Sequence, residues 1–312
     1  MPDPLVILRA MTIAGVVAAV VLLALSWQWR SPHPARTALG WTIGVALALV
    51  VGNWALGLDL QWPPKEDRHR FLLLLLPAAV AVESIAAVPR IPRSAAWLLR
   101  VIVSLAAGQI LLHGSVYLAD PGEIDLGQWT TEQRILYFGG LALALIVVWG
   151  LLGLLLHVAP SRSVPLTLAV TCGGAAVTIM FSGSATDGQL GLVVAAALAG
   201  ATAASFLLPA PPSGTAPIAI GVIGLFALLL GGRFFADLTW THAVLLFAVP
   251  LLCWFAELPL IRELKPLPRA GLRILLVGLV VAGVAYQAQQ ASIDRSRPPS
   301  GDEEDSYEQY YR

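Results

Sequence analysis

The chain is predicted to be an all-α, polytopic transmembrane bundle of about ten spans, with a parallel internal duplication and a disordered C-terminal tail. Three observations carry this. Of 312 residues, 57% are hydrophobic and only 12% charged, about half the charged share of a soluble globular chain. Mean hydropathy is +0.77. The apolar residues fall in blocks near the length of roughly 20 residues that a helix needs to cross a bilayer.

The first span, 5–27, could be mistaken for a signal peptide, but Ser26-Trp27-Gln28-Trp29-Arg30 follows it where a small-x-small cleavage pattern would stand, so a retained helix is expected. Span 2 covers 37–58, between Arg36 and Asp59, and span 3 covers 71–89, between Arg70 and Arg90. Span 4 is 95–118 and span 5 is 135–157, joined by the acid-rich stretch from Asp120 to Arg134. Span 6, 165–183, opens after a Pro160-to-Pro165 loop, and span 7, 189–208, ends before Pro209. Spans 8, 9 and 10 are 217–234, 241–260 and 270–289. Every connection is short and polar, so none houses a soluble domain. From about Asp294 the chain is too polar to bury anything and is expected to be a disordered, acidic, Tyr-bearing tail.

An internal repeat is the most informative pattern. Thr37-Ala38 and Asp59-Leu60-Gln61-Trp62 match Thr215-Ala216 and Asp237-Leu238-Thr239-Trp240 at a constant offset of 178, which Pro34 and Pro212 share. Pro77 matches Pro250, and Leu99-Arg100 matches Leu272-Arg273, at an offset of 173, with Glu83 and Glu257 one position from that register. Spans 1–4 and 7–10 therefore read as two copies of a four-helix unit, parallel because equivalent helices are related by an even shift of six. The expected organisation is a first repeat over 1–118, an intervening acidic loop with spans 5 and 6 over 119–188, a second repeat over 189–290, and the tail over 291–312.

Connections after odd-numbered spans hold eight basic residues with Glu263 as their single acid, while those after even-numbered spans hold five basic residues among nine acids. The positive-inside rule then puts the odd connections in the cytoplasm and both termini outside. Seventeen Arg against two Lys, amid much Ala, Val, Leu and Gly, suggest a GC-rich bacterial gene, and the cytoplasmic (inner) membrane is the expected location.

Ionisable side chains within spans are costly and normally pair, reach for water or serve a pathway. The candidates are Glu83, Arg100, Glu257 and Arg273, with Gln109, His113 and Tyr117 as a polar stripe along span 4. Each Glu lies near the end of one helix and each Arg near the start of the next, so two matched Glu/Arg pairs could hold the hairpins or bind an anion. The structural alternative is interfacial residues whose Arg stems reach water. The stripe could line a cavity, but interhelical hydrogen bonding is favoured for it. Pro77 and Pro250 are candidate kinks. Cys172 and Cys253 read as buried hydrophobes. Asp120, Glu123 and Asp125 could hold a divalent ion, but a helix start capped by Thr130 or Thr131 explains that segment without one.

Nineteen basic and nineteen acidic residues cancel, with no basic run, so nucleic acid is not an expected partner. No Walker loop, dinucleotide fingerprint, H-E-x-x-H or G-x-S-x-G is present, and neither enzyme activity, cofactor nor metal is expected. The expected partners are the bilayer, with either other membrane proteins or a small molecule. The leading reading is a small-molecule permease or carrier. The alternative is a non-catalytic structural or assembly subunit of a membrane complex, and an enzyme on lipid-linked substrates ranks third. A polar mid-membrane cavity lined from both copies would favour the carrier. Charged groups at headgroup depth around a dry core would favour the structural subunit.

Overall fold

The computed structural model describes residues 3–26, 34–118, 129–212 and 214–296. Among them there is helix and no strand, and ten helices are long and apolar enough to cross a membrane. In chain order they are α1 (Pro4–Ser26), α2 (Pro34–Ala55), α3 (Asp67–Ala86), α4 (Arg93–Leu112), α5 (Thr131–Val158), α6 (Ser163–Phe181), α7 (Ala185–Ser205), α8 (Ala216–Phe235), α9 (Trp240–Glu257) and α10 (Pro266–Ser296). The architecture is thus compatible with a multi-pass helical membrane protein.

Local chemistry explains several ends. Thr130 caps α5 in a reciprocal box: its hydroxyl accepts from the Gln133 amide at 3.3 Å, and the Gln133 side chain accepts from the Thr130 amide at 2.9 Å. That meets the capping expectation for this segment, whereas Asp120, Glu123 and Asp125 lie outside the described residues. α4 ends at Leu112, six residues before the expected 118, because Gly114 takes φ +70°, a left-handed turn that only glycine adopts freely. α10 continues to Ser296, so 291–296 are helical where tail was expected. Arg295 accounts for this: its guanidinium donates to the Phe181 carbonyl at 2.8 Å and to Asp237 at 2.9 Å, which ties down the last turn. The rest of the expected tail, 297–312, lies outside the described residues.

Both candidate kinks coincide with departures from α geometry, in opposite senses. Ahead of Pro77, Phe71–Leu75 form a widened π turn closed by the Leu76 amide on the Phe71 carbonyl. From Val249 to Glu257, around Pro250, the helix tightens to 3₁₀. Proline removes an amide donor, and the helix relieves the unpaired carbonyl by unwinding in one case and overwinding in the other.

At the centre stands α8, in which every residue from Ala216 to Gly232 is buried. Helices α2, α3, α5, α6, α7 and α9 all pack on it. Such all-round burial is what an all-apolar helix requires. α1 lays an alanine stripe, Ala10, Ala14 and Ala18, against α2 and α7. Backbones come very close there, since a Cβ on Gly200 of α7 would stand 2.2 Å from the Gly15 carbonyl oxygen. α6 and α7 also pack intimately, as their small residues predict. The two expected copies are not packed alike at their first helices: α1 sits on α2 and α7, whereas α7 sits mainly on α6 and α1 and less on α8, the next helix of its own copy.

Candidate functional site

The end of the bundle carrying the odd connections brings the matched charges together. Glu83 is in the last turn of α3, and Arg100 lies two turns into α4. Arg100 Nε donates to Glu83 Oε1 at 2.7 Å and Nη2 to Oε2 at 3.2 Å, a two-pronged pair. Thr215, the residue before α8, closes a ring: it accepts from Arg100 at 2.7 Å and donates to Glu83 at 2.8 Å. The Arg100 guanidinium also lies over the rings of Trp97, at 5.1 Å, and Trp149, at 5.9 Å. A cavity of about 380 Å³ opens beside it, lined in part by Arg93, Trp97, His157 and Thr215.

The second pair has the same parts. Arg273 of α10 donates to Glu257 at the end of α9 in a very short contact and to the Ser163 hydroxyl at 2.8 Å, while Arg269 approaches Glu257 at 3.6 Å. Ser163 is the first residue of α6, so each pair takes a hydroxyl from the start of a third helix. The expectation of Arg stems reaching water does not hold. Arg100 is 6% exposed, Arg273 2% and Glu83 2%, because each Arg has a carboxylate and a hydroxyl at its own depth.

The span-4 stripe is not assembled. Gln109 and His113 are exposed at the even-connection end of α4 and border a shallow cavity of about 220 Å³ with Arg70 and Pro64. Tyr117 follows the Gly114 turn and joins an aromatic cluster instead, 5.2 Å from Trp129 and 5.2 Å from Phe234. His113 is therefore a helix-end residue and not a mid-membrane group. Pro77 and Pro250 lie on different helices and line none of the described cavities.

Sequence reasoning missed three features. Arg70, counted as a loop charge, is buried at the start of α3, where it donates to the Leu111 carbonyl at 3.1 Å and to the Lys65 carbonyl. Asp67 and Asp187 converge across α8: a Cβ on Gly231 would stand 2.5 Å from Asp67 Oδ2 and 3.9 Å from Asp187 Oδ2. They form the inner wall of a polar cavity of about 490 Å³ at the even-connection end, shared with Lys65, Glu66, Arg68 and Ser115. Arg233, in the last turn of α8, stands at one end of an apolar groove. The Asp pair could have been suspected from Asp67 and Asp187 each lying at the start of a helix that follows an even connection, but nothing in one sequence pairs them in space.

Between the two ends the interior is packed mainly with apolar side chains, among them Leu75, Leu76, Leu145, Leu152 and Ile223. Cys172 and Cys253 are free and buried there, with Cys253 Sγ 3.1 Å from the Thr167 hydroxyl. No group of three or more His, Cys, Asp or Glu that could hold a metal ion occurs among the described residues. Compared with known proteins, the chain matches no family model and no curated sequence.

Proposed function

We propose that this chain is a non-catalytic structural or assembly subunit of a membrane protein complex, seated in a bacterial cytoplasmic membrane. The observation that carries the reading is the use made of the charges within the spans. Glu83, Arg100, Glu257 and Arg273 sit near one end of the bundle, and each is bonded to a partner on a neighbouring helix. Around α8 the middle is apolar. Charges so placed fasten helices, and among the described residues no charged side chain is part of the apolar core around α8. The same reading takes the chain as two parallel copies of a four-helix unit, supported by the sequence offsets and by the like composition of the two Glu/Arg/hydroxyl clusters.

The test is chemical cross-linking in native membranes followed by purification. A stable complex with defined protein partners is expected, and a monomer that comes out alone at every cross-linker concentration would overturn the reading.

One observation favours the carrier as a second reading. α3 has polar cavities at both ends, beside Asp67 and beside the Glu83–Arg100 pair, with the π turn and Pro77 between them. Movement at that turn would be needed to join them. Under this reading Glu83→Gln and Glu257→Gln lower uptake of a small molecule by proteoliposomes by more than their loss of folded protein accounts for. Unchanged uptake removes the carrier.

A further inference from the structure

We propose that the groove between α5, α8 and α9 is a specific site for one phospholipid with an anionic phosphodiester headgroup, whose phosphate is held by Arg233. The groove is about 260 Å³ in volume. Its floor is buried and apolar, formed by Val148, Phe226, Leu229, Leu230, Ala243 and Phe247. Its rim, Val147 and Val244, is exposed on the flank of the bundle where acyl chains would lie. From Phe226 to Arg233 it follows α8 for about 10 Å at 1.5 Å per residue, along the direction an acyl chain takes.

The polar groups of the lining are confined to one end, Arg233 and the Trp240 indole. That end is marked as headgroup depth by a cluster of Tyr117, Trp129, Tyr137, Phe234 and Trp240, the amphipathic rings that collect at a membrane interface. Arg233 makes no ion pair with a described residue, and its buried Nε has no hydrogen-bond partner. Its guanidinium is steadied over Trp240 at 5.1 Å and Phe234 at 5.9 Å.

Proximity to the C-terminal end of α8 suits a cation there but gives Nε no acceptor. A half-buried guanidinium whose enclosed Nε has no acceptor lacks a partner on that side, and its planar fork matches two oxygens of a phosphate. Charge complementarity at one end and a lipid-facing apolar slot at the other fit an anionic amphiphile rather than a helix of another protein, which would bring no phosphate to Arg233.

The experiment is native mass spectrometry of the full chain purified with equal amounts of phosphatidylglycerol and phosphatidylcholine of identical acyl chains. The unaltered protein is expected to retain one phosphatidylglycerol in preference. Arg233→Gln should reduce that preference roughly tenfold, the scale of a lost charge-assisted hydrogen bond. Val147→Trp, on the exposed rim, should lower retention of both lipids while keeping their ratio. Equal retention of the two headgroups by the unaltered protein overturns the proposal whether or not Arg233→Gln folds. So does an undiminished preference in a folded Arg233→Gln protein, and so does glycerol phosphate displacing the lipid at equal concentration, which would make this a free-anion site.

Discussion

Thr215 donates its hydroxyl to Glu83 at 2.8 Å across 132 residues of chain, fastening the start of α8 to the end of α3. The bond matters because Glu83 also receives Arg100, so three helices meet on one carboxylate. At this depth a carboxylate left with one fewer partner has no water to replace it.

Glu83→Gln should therefore be among the most damaging single changes in the protein, costing about 3–5 kcal/mol as the Arg100 charge is stranded. Glu257→Gln should cost less, since Glu257 is less completely enclosed and Arg269 and Arg273 share it. The paired change Glu83→Leu with Arg100→Met should recover much of the loss, because an apolar pair of similar volume avoids desolvation altogether. Thermal unfolding in one detergent, compared across the three variants, checks the order; a paired variant less stable than Glu83→Gln would contradict it.

Gly200→Ala should destabilise by about 1–3 kcal/mol, because its methyl would meet the Gly15 backbone at 2.2 Å and neither helix can yield by rotating a side chain. Gly278→Ala provides the control. Nothing lies within 4 Å of a Cβ there, so it should be neutral or stabilise α10 by up to about 1 kcal/mol. The two melting temperatures should move in opposite directions or differ by several degrees.

Arg70→Gln should loosen the junction of α3 and α4, since the Leu111 and Lys65 carbonyls both lose their donor. A cost of about 1–3 kcal/mol is expected. Hydrogen exchange should quicken from Ser115 to Leu118, the turn that follows α4, and leave the Glu83 end of α3 unchanged.

Gln109→Ala and His113→Ala should stay within about 0.5 kcal/mol of the parent, because both side chains are exposed and neither is held in a buried hydrogen-bond network. A loss of more than 2 kcal/mol in either would mean that this face is covered in the native membrane, and cross-linking from a cysteine at 113 would then identify the covering partner.

The ten spans and the hairpin pairing of Glu83 with Arg100 and Glu257 with Arg273 were legible in the sequence, because length, hydropathy and the Glu-turn-Arg order are local signals. The hydroxyls of Thr215 and Ser163 were not, as they arrive from helices far along the chain. Nor was the centrality of α8. Its mean hydropathy of 2.2 is below the 2.5 of α1 and the 2.6 of α5, both of which border the outside. Lipid tails and a protein interior are about equally apolar, so hydropathy says that a helix avoids water and not which apolar surroundings it keeps. The stripe through His113 failed for a smaller reason: Gly114 ends the helix, and a periodicity carried past that turn relates residues that no longer share a face.

Because α8 is sheathed by neighbouring helices nearly all round, with the groove beside Phe226 as the exception, those helices and not the bilayer are its main solvent. A bulky apolar residue at Gly221 or Leu228 would be penalised for its shape, as in the core of a water-soluble enzyme, whereas the same residue at Leu8 or Leu279 would simply displace lipid. The chain thus contains two chemistries of apolar sequence that look identical on paper: an outer coat tolerant of any greasy side chain, and an inner rod in which each methyl has an assigned place.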